Sequence, residues 1–346
     1  MRPSFFHHLH PPTIPAIQAR WRYTLGAGGL AVFLSLVLVV TGALEMFYYV
    51  PTPENAAASI QALTFLVPFG GLVRNLHYWA AQILVLVVLV HLLRVVFTGA
   101  YARPHRFNYL LGLFLLVICL FLDFTGYVLR WDEGIHWALV TGTNLVRSIP
   151  AIGPGLYSML VGGSQPGAAT LVRFYAWHIF GLTLVLILVG GWHLFRVRRD
   201  GGIAVPPPEA RRDHQRITRF ELVRREVLAA LLAAVGLIVL ALAQPAPLGP
   251  SIQAGISTVA DGRAPWFFLW VQQLLRLGDP FLWGVLVPLG ILAWLVIIAY
   301  LLPAARPQEL GAWFPRGNRL AQLSVALIVL AILGLTLLSL LQARPA

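Results

Sequence analysis

The chain has 346 residues, of which 58% are apolar and only 11% are charged, and its mean hydropathy is +0.78. This composition excludes an ordinary water-soluble protein, because uncharged runs of the roughly 20 residues that span a bilayer recur throughout the sequence. The single cysteine, Cys119, excludes an internal disulfide, a thiolate metal cage and an iron–sulfur cluster. Any cofactor must therefore be held by other ligands.

The basic residues are all arginines, and they give the chain a formal charge of +12. With the N-terminus inside, 18 of the 25 lie on inner segments and seven on outer ones, whereas the 13 acidic residues divide six and seven. This is the positive-inside pattern of an integral membrane protein, and we expect a bacterial-type inner membrane. The alternative is a basic groove for nucleic acid. It is disfavoured because most of the arginines lie between the apolar runs, on the predicted inner side.

We predict an all-α membrane protein with seven transmembrane helices, arranged as an N-terminal four-helix bundle and three C-terminal helices. In chain order, spans A to G are predicted at residues 24–49, 75–99, 108–129, 174–196, 226–244, 280–302 and 319–342. A basic, proline-containing linker, 204–225, joins a front domain, 1–203, to a back domain, 226–346. The outer connections 130–173 and 245–279 are longer than turns require, so both are candidates for a functional site.

Four histidines lie within predicted spans, His77 and His91 on span B and His178 and His193 on span D. The intervals of 14 and 15 residues correspond to roughly 21 Å of helix and return to about one face. If both spans run from outside to inside, the histidines form two pairs at matched depths. Facing imidazoles can ligate haem iron from above and below, which suits electron transfer. The alternative is ordinary hydrogen bonding between helices.

Glycines and arginines extend this hypothesis. Gly28 and Gly42 on span A, and Gly112 and Gly126 on span C, repeat the 14-residue interval, and glycine leaves room for a flat macrocycle between helices. Small residues are also common wherever membrane helices meet. The arginines near the histidines are candidates for holding haem propionates, although such residues also anchor topology. They are Arg74 and Arg173 at the outer end and Arg94 at the inner end.

The motifs of the front half resemble the cytochrome b of bc-type quinol-oxidising complexes over about residues 20–203. The motifs that carry the resemblance are Thr41-Gly42, Phe47-Tyr48-Tyr49, Arg74-x-x-His77, His91-x-x-Arg94, Thr125-Gly126-Tyr127, Trp131-Asp132, Ile149-Pro150, Ile152-Gly153 and Arg173-Phe174-Tyr175-x-x-His178. The 15-residue histidine interval and the seven spans are most similar to the chloroplast and cyanobacterial form. There the cytochrome b and the three-span subunit IV are separate chains, and here they resemble a fusion.

The resemblance implies two non-covalent b haems, held by His77 with His178 and by His91 with His193. It implies quinol oxidation near the outer face, transfer of electrons to an inner quinone and release of protons. The implied partners are a Rieske iron–sulfur protein, a c-type cytochrome or other acceptor, quinone, membrane lipid and a second copy in a homodimer. The implied quinol pocket comprises Trp137, Pro150, Gly153, Pro265, Trp266, Phe267 and Phe268.

Two departures from the family pattern concern chemistry. The family usually has Pro-Glu-Trp-Tyr where this chain has Ala264-Pro265-Trp266-Phe267, so the usual carboxylate that accepts a quinol proton is missing. Quinol oxidation still requires a base. The substitutes that we consider are Asp123, which is unusual inside an apolar span, and Asp132 and Glu133 in the adjoining loop. The alternative for Asp123 is an ion pair with Arg130.

The second departure concerns a third haem, which the chloroplast form attaches through a cysteine near the start of span A. An ungapped count puts Gly26 at that position, and Cys119 lies in the wrong span, so a covalent third haem is not expected.

Two alternative functions remain open at this point. One is a di-haem membrane anchor that feeds quinol electrons to a different oxidoreductase, of the nitrate or selenate reductase type. The other is a histidine-bearing transporter without haem.

Overall fold

In a computed structural model, the chain is built almost wholly from helices. The structure describes residues 12–19, 24–200, 215–252, 263–306, 309 and 312–342. Within these ranges, seven helices are long and apolar enough to cross a membrane. The predicted all-α membrane fold is thereby confirmed.

The helices are α1 (Ala27–Glu45), α2 (Ala56–Phe65), α3 (Gly70–Phe97), α4 (Arg106–Leu129), α5 (Glu133–Arg147), α6 (Gly153–Val161), α7 (Ala168–Arg199), α8 (Arg219–Ala243), α9 (Leu269–Leu274), α10 (Phe281–Tyr300) and α11 (Arg319–Gln342). Short 3-10 turns stand at Ala16–Ala19, Trp266–Phe268, Leu275–Leu277 and Arg316–Asn318. The candidate spans are α1, α3, α4, α7, α8, α10 and α11 with its preceding turn.

Two short strands tie the beginning of the described chain to the segment before α8. Strand β1 (Thr13–Pro15) pairs antiparallel with β2 (Arg216–Thr218). Helix α8 then begins at Arg219, seven residues before the predicted start, because the Thr218 side chain accepts a hydrogen bond from the backbone N–H of Glu221 at 3.2 Å. The last part of the predicted linker is therefore helical, and its residues 204–214 lie outside the described residues.

Helices α1, α3, α4 and α7 form the front bundle, in which α1 packs against α3 and α4 packs against α7. The back helices surround it: α8 packs on α1 and α3, α10 on α4, and α11 on α3 and α9. A buried cluster contributed by both halves includes Val96, Tyr109, Leu295 and Val325. Because α10 and α11 share this core with the bundle, the two halves are packed together over an apolar interface.

The long outer connections carry their own helices. Asp132 caps α5, since its Oδ1 accepts a hydrogen bond from the backbone N–H of Ile135 at 3.2 Å. A buried cluster that includes Ala56, Trp131, Leu139 and Phe174 packs α2, α5 and α7 over the outer end of α4. The described residues of these connections therefore pack as a layer over one end of the bundle, which we call the outer layer after the predicted orientation.

Candidate functional site

The outer histidine pair joins α3 to α7. The ring centres of His77 and His178 lie 6.3 Å apart with an interplanar angle of 66°. A metal bound to one nitrogen of each ring at about 2 Å places two imidazole centres about 6 Å apart. The observed separation is thus that of two rings on either side of one metal ion.

The Nδ1 atoms of this pair are already engaged in hydrogen bonds. His178 Nδ1 lies 3.0 Å from the Leu122 carbonyl oxygen and 3.1 Å from Thr125 Oγ1. His77 Nδ1 lies 2.9 Å from Thr41 Oγ1, and that hydroxyl donates to the Val37 carbonyl at 2.7 Å. A hydrogen bond from Nδ1 to a backbone carbonyl fixes the ring and leaves Nε2 as the ligand atom, as in many metal sites.

The inner pair, His91 and His193, lies further along the same two helices. His193 Nδ1 lies 3.1 Å from the Asn108 carbonyl oxygen, which is the same kind of contact that His178 makes. His91 lies close enough to His193 for their charges to interact. Its Nδ1 is buried and has no hydrogen-bond partner among the described residues.

A π-helical turn, Trp177–Leu182, interrupts α7 at the outer histidine. In a regular helix at about 100° per residue, the 15-residue interval on α7 would rotate one ring by about 100° relative to the 14-residue interval on α3. A π-bulge inserts one extra residue without changing the helix direction, and such bulges are common at functional sites. The π turn therefore allows the 15-residue interval on α7 and the 14-residue interval on α3 to place their histidines at matched levels.

Each of the four predicted glycines faces one of the four histidines. A Cβ atom built on Gly126 would stand 2.8 Å from His178 Cε1, and one on Gly42 would stand 3.0 Å from His77 Cε1. The corresponding distances are 3.4 Å from Gly112 to His193 and 3.7 Å from Gly28 to His91. The glycines on α1 thus face the α3 histidines, and those on α4 face the α7 histidines.

These contacts add a second reason for the glycines. The sequence hypothesis assigned them to clearance for a macrocycle, which stays a prediction, and the structure shows that they also give room to the imidazole rings. The contacts at Gly42 and Gly126 are too short for a side chain unless the ring moves, and the ring is held by its Nδ1 hydrogen bond.

The four-histidine arrangement fits haem better than a bare metal ion. Within the described part of the chain, no group of three or more His, Cys, Asp or Glu side chains could hold a metal ion. A haem needs only two protein ligands, because the porphyrin supplies the other four. The geometry of the outer pair, the Nδ1 hydrogen bonds and the close glycines agree with this requirement.

The three predicted propionate partners have different surroundings. Arg74 is buried and donates from Nη1 to the Ala246 carbonyl at 3.1 Å and from Nη2 to the Pro247 carbonyl. Arg173 donates to the carbonyl of Met159 at 2.8 Å. Arg94 is buried near the inner end of α3, three residues after His91. Arg74 and Arg173 thus tie the bundle to the outer layer.

A chain of hydrogen bonds connects the segment 265–268 to Asp123. Trp266 Nε1 donates to Gln82 Oε1 at 2.8 Å, and Gln82 Nε2 donates to Asp123 Oδ1 at 3.1 Å. Asp123 on α4 is thus linked through the Gln82 amide of α3 to the Trp266 indole of the outer connection. The sequence did not single out Gln82, although a polar residue five positions after His77 inside an apolar span was a usable signal.

Arg130 pairs with Asp132 and not with Asp123, which was the alternative that we considered from the sequence. The Arg130 guanidinium lies 2.5 Å from Asp132 Oδ2, which also accepts the backbone N–H of Gly249 at 3.1 Å. Asp132 is 2% exposed and its Oδ1 caps α5, so its two oxygens hold the outer layer together. Glu133 is half-buried in the first turn of α5.

The predicted pocket residues fall into two groups. Phe267 is buried, and Phe268 packs edge-on against Phe124 of α4 with ring centres 6.0 Å apart. Pro265 begins the 3-10 turn that carries them, since its carbonyl accepts the Phe268 N–H.

In the second group, on the other outer connection, Trp137 is 44% exposed and Pro150 is exposed. Gly153 is buried where α6 begins, with its missing Cβ against the Arg147 backbone. The contacts of the first group place Trp266 and Phe268 beside α3 and α4.

Comparison with known proteins matches this architecture to one family. A family model described as "Cytochrome b(N-terminal)/b6/petB" matches residues 82–251. The cytochrome b6 of Heliobacterium modesticaldum is 41% identical over 192 residues, which cover 56% of this chain and 88% of the relative. The menaquinol:cytochrome c reductase cytochrome b subunit of Geobacillus thermodenitrificans is 36% identical over 175 residues, 50% of this chain and 78% of the relative.

A solved structure titled "Hyperthermophilic respiratory Complex III" has the same fold, with a TM-score of 0.77 and 19% sequence identity. The superposition covers 94% of this chain and 85% of that one, so it includes the back helices. The fold and the paired histidines define a membrane-embedded electron-transport protein. The chain belongs to the cytochrome b family, as a b-type subunit of a bc-type oxidoreductase.

Proposed function

We propose that this chain oxidises quinol near the outer membrane face and passes electrons through two b haems to a quinone near the inner face. The observation that carries the proposal is the pair of facing imidazoles, His77 and His178, with ring centres 6.3 Å apart and Nδ1 atoms held by hydrogen bonds. His91 and His193 are the proposed ligands at the inner level, where His193 Nδ1 lies 3.1 Å from the Asn108 carbonyl oxygen. Each haem would be held by one pair of histidines and would supply a one-electron carrier.

The protein contributes the rigidity of these sites. Thr41, Thr125 and the carbonyls of Leu122 and Asn108 hold three of the four histidine rings through Nδ1, which leaves Nε2 of those rings as the ligand atom. A ring fixed in this way needs little reorganisation when an electron arrives or leaves. Neutral imidazole is also the state required of a haem ligand, and burial among apolar helices favours it.

Asp123 is our proposed acceptor of a quinol proton, in place of the glutamate that the family usually carries in Pro-Glu-Trp-Tyr. The Gln82 amide holds its carboxylate, and the Trp266 indole in turn holds Gln82. The aromatic rings of Trp266 and Phe268 supply flat apolar surface for a quinone head group. Asp132 is less suited, because Arg130 and two backbone N–H groups occupy its oxygens, and Glu133 remains a second candidate.

The charge pattern supports an orientation with the N-terminus inside, which puts the Asp123 layer on the outer face of a bacterial-type inner membrane. Protons from quinol would leave there, so electron transfer contributes to a proton gradient. The relatives are named for a reductase of cytochrome c and for Complex III. We therefore propose a Rieske iron–sulfur protein, a c-type cytochrome or similar acceptor, and a second copy of this chain as partners.

The test is purification of the native assembly, followed by haem quantification and identification of its companion chains. We expect two non-covalent haems per chain, with two distinguishable midpoint potentials in a redox titration of the b-type band. A chain without any b-type band would refute the haem proposal and favour the transporter.

The subunits that co-purify with the chain identify its electron acceptor. A co-purified Rieske protein agrees with our proposal, whereas a molybdenum-containing subunit would instead identify the chain as an anchor of the nitrate or selenate reductase type.

A further inference from the structure

Glu45 at the outer end of α1 is a buried acid that the quinol chemistry above does not use. Its Oε1 is buried and has no hydrogen-bond partner among the described residues. It is also the only charged residue of predicted span A. An ionised carboxylate with an unsatisfied buried oxygen is costly, so this position favours binding a proton unless a positive charge compensates.

The compensating charge comes from Arg74 on α3, which lies close enough to interact electrostatically with Glu45. Arg74 donates its Nη hydrogen bonds to the Ala246 and Pro247 carbonyls. The positive charge of Arg74 therefore acts on Glu45, whereas its hydrogen bonds are made to carbonyl groups of the outer layer. Arg130 and Asp132 also lie near Arg74, but they form an ion pair with each other.

The distance to the outer histidine pair is one helical turn. Glu45 stands three residues after Gly42, whose missing Cβ faces His77 Cε1 at 3.0 Å, so both lie on the same side of α1. Arg74 stands three residues before His77, at the same level as Glu45. Glu45 and Arg74 therefore both lie within about 5 Å of the outer histidine pair, measured along the helix axis. A change of charge at that pair acts on both side chains.

We propose that Glu45 is a proton-binding site coupled to the charge of the outer haem site. The inference rests on the proposed function. Glu45 is ionised against Arg74 when the site between His77 and His178 is oxidised. When one electron arrives there, the Glu45 carboxylate binds one proton. When that electron leaves for the inner site, the carboxyl group releases the proton, so that charge and protons balance over each electron transferred.

Three neighbouring elements bear on this equilibrium. Arg74 interacts electrostatically with Glu45 from α3, as it does with Tyr78 of the same helix, and Arg130 with Asp132 stand at the junction of α4 and α5. Tyr49, one turn further along the chain, donates its hydroxyl to the Leu129 carbonyl at 2.8 Å and stacks on Tyr175. Burial raises the pKa of Tyr49, so its hydroxyl stays protonated and does not compete with Glu45 for the proton.

The test is a redox titration of the outer haem at several pH values in the purified wild-type complex and in Glu45→Gln. Coupling of one proton to one electron lowers the midpoint potential by about 59 mV for each tenfold fall in proton activity, that is, per pH unit. We expect such a slope over part of the pH range in the wild type and a flat dependence in Glu45→Gln. Glu45→Asp, which keeps the acid, should retain a sloping region.

The matched control is Glu54→Gln, which makes the same chemical change at an exposed residue of the same outer segment. Its slope should equal that of the wild type. An unchanged slope in Glu45→Gln, or an equal loss in Glu54→Gln, would overturn the inference while leaving the haems in place.

If Glu45→Gln does not assemble, the wild type alone still decides the question. A reduced-minus-oxidised infrared spectrum should contain a carboxylic acid band, and its absence would also overturn the inference. A missing b-type band in the wild type would instead refute the proposed function itself.

Discussion

A single methyl group added at Gly126 should disturb the outer histidine pair and leave the inner pair unchanged. An alanine Cβ there would lie 2.8 Å from His178 Cε1 and 3.4 Å from both ring nitrogens. The ring cannot withdraw freely, because its Nδ1 is held at 3.0 Å by the Leu122 carbonyl. Overpacking of this kind costs about 1–3 kcal/mol. If the cost falls on haem binding, Gly126→Ala should weaken the outer haem roughly fivefold to 100-fold.

The other glycines give the prediction a graded form. Gly42→Ala places a Cβ 3.0 Å from His77 and should weaken the same haem, whereas the inner positions have more room. Gly112→Ala, at 3.4 Å, should have a small effect, and Gly28→Ala, at 3.7 Å, should have none from this contact. The outer haem is thus expected to be the more sensitive of the two.

The assay is the ratio of haem to protein together with the amplitude of each step in a redox titration. The matched control is Gly334→Ala on α11, where an added Cβ meets nothing within 4 Å. It also gains the roughly 1 kcal/mol of helix propensity that alanine has over glycine, so the difference between the variants isolates the clash. Full retention of both haems with unchanged potentials in Gly126→Ala, or equal haem loss in Gly334→Ala, would refute the reasoning.

Three further changes test other parts of the site. His91→Ala should remove only the inner haem and leave one of two redox steps; loss of both steps or of neither would contradict the pairing. Asp123→Asn should slow quinol oxidation at least tenfold with normal haem content, as expected for general base catalysis, and an unchanged rate would clear it of that function. Arg130→Gln should leave the buried Asp132 without its ion pair and lower the free energy of unfolding by about 3–5 kcal/mol, seen as a lower thermal midpoint; an unaltered midpoint would show that the pair is not needed.

The number and positions of the apolar helices were predictable from the sequence because they depend on local composition. Seven apolar runs of sufficient length were visible without any tertiary information, and the structure has a helix long and apolar enough to cross a membrane at each. The bounds were less predictable. Helix α8 begins at Arg219 because of the Thr218 cap, and a hydropathy pattern does not register a polar helix start.

The histidine pairing was also expected from spacing, but the spacing argument alone was incomplete. In a regular helix a 15-residue interval leaves two side chains about 60° apart, and the π turn Trp177–Leu182 on α7 takes up the extra residue. The sequence carries no periodicity that reveals such a turn. The contacts of the proposed quinol site were harder still to predict, since Trp266 reaches Gln82 from a position 184 residues away.

The amino-acid sequence by itself determined the class of this protein, its seven spans and the four histidines, because apolar runs and helical intervals are short-range properties. Only the tertiary structure decided which charges meet: Arg130 with Asp132, Arg74 beside Glu45, and Asp123 with the Gln82 amide. Several side chains within reach compete for each buried charge, and the packing of helices far apart in the chain selects among them. Burial increases the energy of each selected contact, because an electrostatic contact that is weak in water becomes strong between membrane helices.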